Sequence, residues 1–251
     1  MSASAPPRIF APNRRDAATR KARVFSANDQ AATFLADDMA DDIIERVGFM
    51  RIEAKSALIV GMGADQVSAT LRSNGTKVSL PDSVAFDDEQ PWHGTVDFIA
   101  NLGRLDRVND LPGALIHMRS ALAPGGIAMA SFVAAGSLQH MRSALITADG
   151  DTPAARMHPM VDNRAATGLL ERAGFARQVV DSRTLNARYS SLGRLVMDLR
   201  EQGLANQLSS APPALTRSAW ERAKEAFSEA ADPDGKVTER FEILTLTGWR
   251  D

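Results

Sequence analysis

Residues 57–71, ALIVGMGADQVSATL, restrict the possible folds of this chain more than any other stretch. A continuously apolar run, SALIVG, ends in a Gly-x-Gly turn and passes at once into ADQVSATLRSNG, a helix-forming segment closed by Asn74 and Gly75. An apolar run without alternation predicts a strand covered on both faces, the hallmark of parallel sheets flanked by helices. Asn and Gly after the last periodic residue stop the helix. Strand, glycine turn and helix also form the geometry from which many α/β proteins hold a nucleotide-like ligand, because the helix start presents unpaired N–H groups.

The same alternation continues along the chain. TVDFIANLG reads as a second buried strand. LPGALIHMRSALAPGG follows as a helix with Leu111, Leu115, Met118 and Leu122 on one face, stopped by Pro124, Gly125 and Gly126, and IAMASFV is a third strand. Helices are expected near 137–148, 163–173, 190–205 and 214–231, with ARQVVDS and the closing ERFEILTLTGWRD as strands. Strands and helices in alternation with short turns predict an α/β fold built on a doubly wound, mostly parallel sheet.

Residues 1–50 precede this domain as a basic arm and an amphipathic helix, and 51–251 form the domain itself. Arg8, Arg14, Arg15, Arg20, Lys21 and Arg23 make the arm basic as far as Ser26. Phe34, Leu35, Met39, Ile43, Ile44 and Val47 then recur at helical spacing, leaving Asp37, Asp38, Asp41 and Asp42 on the wet side. A solvated face explains these aspartates better than a metal site, and the oppositely charged arm is expected to attract them.

A chain of 251 residues suffices for one α/β domain with a large core. The formal net charge of -2 supplies no field that would gather nucleic acid or an anionic membrane. Without cysteine there is no disulfide, thiolate metal site or cysteine nucleophile. MSASAPPRIFAPNRR lacks the apolar segment of a secretory signal, and no window reaches the roughly 18 apolar residues of a membrane span. A cytoplasmic location is the expectation. The four histidines are scattered, Ser131 and Ser137 sit in no nucleophile elbow, and neither a catalytic residue nor a metal ligand is assigned.

Several motifs carry a family resemblance. NDLPGALIHMRSALAPGGIAMASF resembles the segment of class I S-adenosylmethionine methyltransferases in which a helix ends in Leu-x-Pro-Gly-Gly before the fifth strand. GLLERAGF resembles their later helix that ends in Ala-Gly-Phe. VNDLPGAL, GSLQHMRSAL, HPMVDNRAATGLLERAGF, RYSSLGRLVMDLREQGLANQL and FEILTLTGWRD narrow the likeness to one branch. That branch contains the biotin-pathway malonyl-carrier methyltransferases and, closer still, the respiratory complex I assembly factor 5 group. RIFAPNRRDAATRKARVF is similar to the basic leader of that group. By this resemblance, 51–251 is a methyltransferase-like domain and its ligand is S-adenosylmethionine.

The family holds that cofactor with an acid at the end of strand one, three glycines, an acid after strand two for the ribose and an acid after strand three for the adenine. In IVGMGAD the first acid is replaced by Ile59 and the third glycine by Asp65, while Gly61 and Gly63 remain. Asp65 at the helix start faces the place of the cofactor's own carboxylate. Two such charges about 5 Å apart, at an effective dielectric near 20, repel by roughly 3 kcal/mol, about a hundredfold in affinity. The two glycines can alternatively serve only the tight turn and close packing. A dinucleotide fingerprint would need glycine at Gln66.

Between Gly75 and Thr95 the family places a strand, a crossover helix and another strand, but TKVSLPDSVAFDDEQPWHG is too short for all three. One βα unit is therefore shortened or missing, and either TKVSL or SVAF is a strand. The ribose-binding acid is expected to be lost with that unit; Asp82 is the only nearby substitute, and its place after Pro81 favours a turn residue instead. FDDEQPW resembles the family's Asp-x-Glu-x-Leu-Pro-Phe stretch and sets Asp87 at the adenine position, against the alternative of a solvated loop. NLGRLD takes the place of the loop beside the transferred methyl, which puts Asn101 at the site. Two functional readings follow. One is an S-adenosylmethionine-dependent methyltransferase or hydroxylase. The other is a cofactor-poor binding or assembly module with a protein partner, and the concentration of losses on the cofactor favours it.

Overall fold

The computed structural model describes residues 8–28 and 30–251. The leading residues MSASAPP, part of the basic arm, lie outside them. Two helices come first, α1 (Pro12–Ser26) and α2 (Phe34–Phe49), followed by β1 (Ser56–Gly61), α3 (Ala64–Ser73), β2 (Lys77–Ser79) and β3 (Val96–Leu102). A short 3₁₀ turn (Leu105–Arg107), α4 (Leu111–Ser120) and β4 (Leu122–Ala134) lead into α5 (Gln139–Asp149) and α6 (Asn163–Arg172). The chain ends with β5 (Gln178–Tyr189), α7 (Leu192–Glu201), α8 (Arg217–Ser228) and β6 (Val237–Trp249).

Six strands make one sheet in the order β2-β1-β3-β4-β6-β5. The first four run parallel, and β6 is antiparallel to both β4 and β5. Side chains alternate across the sheet, so each apolar run splits between two cores. Ala57, Ile59, Phe98, Ala100, Met129 and Ile243 face α2, α3, α5, α7 and α8. Leu58, Val60, Ile99, Ala130, Phe132 and Leu244 face α4, α6 and the loop carrying Trp92. Covering on both sides explains why the strands read as unbroken apolar runs.

The shortened segment resolves in favour of TKVSL. Lys77–Ser79 forms the edge strand, in register with Ser56–Leu58 of β1, while SVAF lies in a turn within a helix-free crossover. The expected helix across 111–126 ends at Ser120. Leu122, placed on its apolar face, instead opens β4 opposite Val96, and the register then skips to Phe98↔Ile127, so the Pro-Gly-Gly stretch forms an irregularity within the strand.

Among the described residues no ion pair joins the basic arm to the acidic face of α2. Asp38 and Asp42 turn to Arg183 of β5, and Arg46 joins Asp42 to Asp181. Alpha1 pairs elsewhere: Arg23 with Asp82 and Arg15 with Asp87. Packing of the apolar stripe of α2 against the sheet commits its flank to β5, which makes those acids unavailable to α1.

Candidate functional site

The carboxyl ends of β1 and β3 meet at two glycine turns, and a cavity of about 590 Å³ opens above them. Gly61 sits at φ 109 and Gly63 at φ 70, both left-handed conformations that favour glycine. Close approach makes each glycine necessary as well. A Cβ on Gly61 would stand 1.9 Å from the Leu102 carbonyl oxygen, and one on Gly63 would stand 2.6 Å from the Ala36 carbonyl oxygen of α2. Between them the Met62 side chain crosses to β3, where its Cε lies 2.2 Å from the position of a Cβ on Gly103. The glycines thus seat β3 and α2 against the turn without reference to any ligand.

Alpha1 covers the cavity. Ala18 is its one buried residue and packs with Ala22 against Gly203 after α7, and ion pairs on its flank face the cavity rim. Arg23 donates to both carboxylate oxygens of Asp82, at 2.8 and 3.2 Å, and Arg15 donates to Asp87 at 3.4 Å. At its start, Phe10 bridges Leu208 and stacks edge-on against His158 with centroids 5.5 Å apart. The bidentate arginine and the Val84 amide hold the Asp82 carboxyl down at about 2, below its ordinary 3.8.

A carboxyl depressed on folding contributes fully above its unfolded value and loses that contribution as pH falls. The Arg23–Asp82 clasp should therefore be complete above about pH 4 and fade toward pH 2. Amide exchange in α1, corrected for intrinsic rates, should accelerate across this window in the wild type, and Arg23→Ala should show the fast exchange already at pH 7. Identical exchange in both proteins at pH 7 would contradict the clasp.

The sequence-predicted residues divide into two groups. Gly61, Gly63 and Asp65 line the cavity, as does Asp82, which also accepts from the Val84 amide in the turn that the sequence favours for it. Asp87 and Asn101 stand off it. Asp87 is exposed and meets only Arg15 and the Glu89 amide, whereas Asn101 is fully buried and donates to Asp88 at 2.7 Å. Asp65 is exposed at the start of α3, where water screens its charge. Salt in the surrounding water reduces the repulsion it would exert on a bound carboxylate below the roughly 3 kcal/mol expected at an effective dielectric near 20.

Four side chains important to this region carried no readable signal in the sequence. Met62 spans the floor. Asp88, fully buried, accepts from Arg104, which also donates to the Ser83 and Phe86 carbonyls at 2.7 Å each. Arg107, buried beside Asp106, donates to the carbonyls of Gly103 and Gly203 and so ties the end of β3 to the turn after α7. The only available hint was the doubled acid in FDDEQPW, and pattern alone does not say which of two consecutive aspartates points inward.

Among the described residues no group of three or more His, Cys, Asp or Glu is placed to hold a metal, and no helix is long and apolar enough to cross a membrane. The four carboxylates on the cavity wall are Asp37, Asp65, Asp82 and Glu201. Three have internal partners: Thr33 for Asp37, Arg23 for Asp82, and the Ala32 amide with Arg194 for Glu201.

Known proteins share this architecture. The chain is 25% identical over 223 residues to the mitochondrial arginine-hydroxylase NDUFAF5 of Danio rerio, covering 86% of this chain and 65% of that protein's length. It is 23% identical over 228 residues to the malonyl-[acyl-carrier protein] O-methyltransferase 1 of Coxiella burnetii, covering 82% of this chain and 77% of the relative. A crystal structure from Bacillus halodurans C-125, assigned as a methyltransferase, superposes with a TM-score of 0.50 at 12% identity, over 84% of this chain and 99% of that one, a likeness of fold alone. Residues 25–179 match the family described as methyltransferase domain. More than half of the chain lies in that match, and the chain belongs to the methyltransferase-domain family.

Proposed function

We propose that this chain is a methyltransferase-fold binding or assembly module whose S-adenosylmethionine site is partly lost. The observation that carries the reading is the arginine clasp of α1: the acid best placed to replace the ribose-binding carboxylate, Asp82, is engaged by Arg23. Volume is no obstacle, since about 590 Å³ lies within the range of roughly 300–1,000 Å³ for small-ligand pockets. Charge is the obstacle. The cofactor's ammonium would look for an acid at position 59, which is a fully buried isoleucine, and its carboxylate would meet Asp65 at the α3 N-terminus. The residues present therefore do not fit the cofactor, and no chemical step is derived through it.

A protein partner of the respiratory-complex type is the one supported by the likeness to the assembly factor group, and a cytoplasmic location belongs to the same reading through the absence of cysteine. Calorimetric titration with S-adenosylmethionine and S-adenosylhomocysteine tests it. The expected outcome is no binding heat up to millimolar ligand from protein with an intact melting transition. Binding in the micromolar range would overturn the reading.

The retained cavity, directly above the glycine turn, favours one second reading: an active S-adenosylmethionine-dependent methyltransferase or hydroxylase acting on a small molecule or a protein. Micromolar binding in the same titration would select it.

A further inference from the structure

The other side of α7 borders a second cavity, of about 670 Å³, which shares no residue with the first. Its walls come from four separate segments and are rich in methionine: Met141 on α5, Met157 and Met160 in the loop before α6, Met197 on α7, with Trp220 of α8 closing one side. Thioether side chains are flexible and polarisable, so such walls adapt to a flexible apolar guest.

Charge at the rim has one sign. Among the described residues no aspartate or glutamate lines this cavity. Of its two arginines, Arg156 is neutralised by Asp149 at 2.6 Å. The third basic group, His158, is buried, and burial pushes its pKa down toward the neutral form. Arg200 remains exposed, with no ion pair among the described residues, beside the apolar wall of α7. A planar guanidinium offers parallel donors that match a carboxylate.

We infer that this cavity binds a small amphiphile: an unbranched acyl chain lying among the methionines, with its carboxylate at Arg200. The inference is independent of whether the first cavity takes S-adenosylmethionine. Dansylated undecanoate is the probe, titrated by fluorescence and competed by dodecanoate. Saturable binding is expected, together with shifts of the methyl resonances of Met141, Met157, Met160 and Met197 on adding dodecanoate, while Met62 stays unmoved. Met197→Glu, at a position already 36% exposed and so compatible with folding, should abolish binding. Arg200→Glu should weaken dodecanoate by about fivefold, the worth of a rim ion pair, and leave neutral dodecanol unchanged. Absence of saturable binding, methyl shifts confined to other methionines, or equal losses for dodecanoate and dodecanol in Arg200→Glu would each overturn the inference. Met62 reports on the first cavity, so a failure here is distinguishable from a failure of the proposed function.

Discussion

Gly61→Ala is expected to destabilise the protein by about 4 kcal/mol or more, at the severe end for single substitutions. The added methyl would sit 1.9 Å from the Leu102 carbonyl oxygen and 2.8 Å from its carbon, and both belong to the backbone of a central strand. Neither can move without breaking the pairing of Gly61 with Leu102 at the end of the β1–β3 ladder. The φ of 109 adds strain that alanine cannot relieve. Gly75→Ala provides the control. Its φ of 86 is equally left-handed, but nothing lies within 4 Å of the new Cβ, so the cost should be about 1 kcal/mol. For a domain of this size the difference of about 3 kcal/mol corresponds to a melting-temperature gap on the order of 10 °C. Similar melting temperatures for the two variants would show that the turn tolerates a side chain, and that Gly61 is not held by packing.

Asp88→Ala should cost about 3–5 kcal/mol, because it leaves the Arg104 guanidinium buried without its counter-charge. Asp88 is fully buried and Arg104 only 9% exposed. Their ion pair, 2.7 Å long, anchors the crossover that replaces the missing βα unit onto the end of β3. Arg104 also stacks over Phe86, 5.6 Å from the ring centroid, and Phe86 in turn packs edge-on against Trp92. The neighbouring Asp87→Ala is expected to cost no more than about 1 kcal/mol, since that carboxylate is exposed and meets Arg15 at 3.4 Å and the Glu89 amide at 3.1 Å, both at the surface. Chemical denaturation of the two variants measures both effects. Equal losses would show that the crossover is not held through Asp88.

These two aspartates illustrate how legibility divides. FDDEQPW is recognisable as a family stretch, and that likeness favours Asp87. The chain here has one residue fewer and no preceding βα unit to set its register, so the inward position falls to Asp88. Asn101 was placed at the site by its position in NLGRLD. Strand alternation turns it into the sheet interior, where the Asp88 carboxylate receives it. For α1, the basic composition and the single buried residue leave no amphipathic signal, and its partners lie far along the chain: Gly203 under Ala18 and Ala22, and Asp82 and Asp87, 59 and 72 residues away from the arginines they meet.

Local pattern was sufficient for the fold class and for most of the strands and helices. Unbroken apolar runs such as SALIVG and IAMASFV required a sheet covered on both faces, and the short stretch between Gly75 and Thr95 had no room for a further βα unit. The first conclusion depends on side-chain periodicity alone; the second sets the length of one segment against what the family resemblance implies for it, and both use only contiguous residues. The state of the site depended on contacts between distant segments: Met62 across Gly103, Arg23 on Asp82, Arg107 holding the Gly203 carbonyl. Such contacts follow from how the folded layers bring charges and backbone together, and no periodicity along a single segment encodes them.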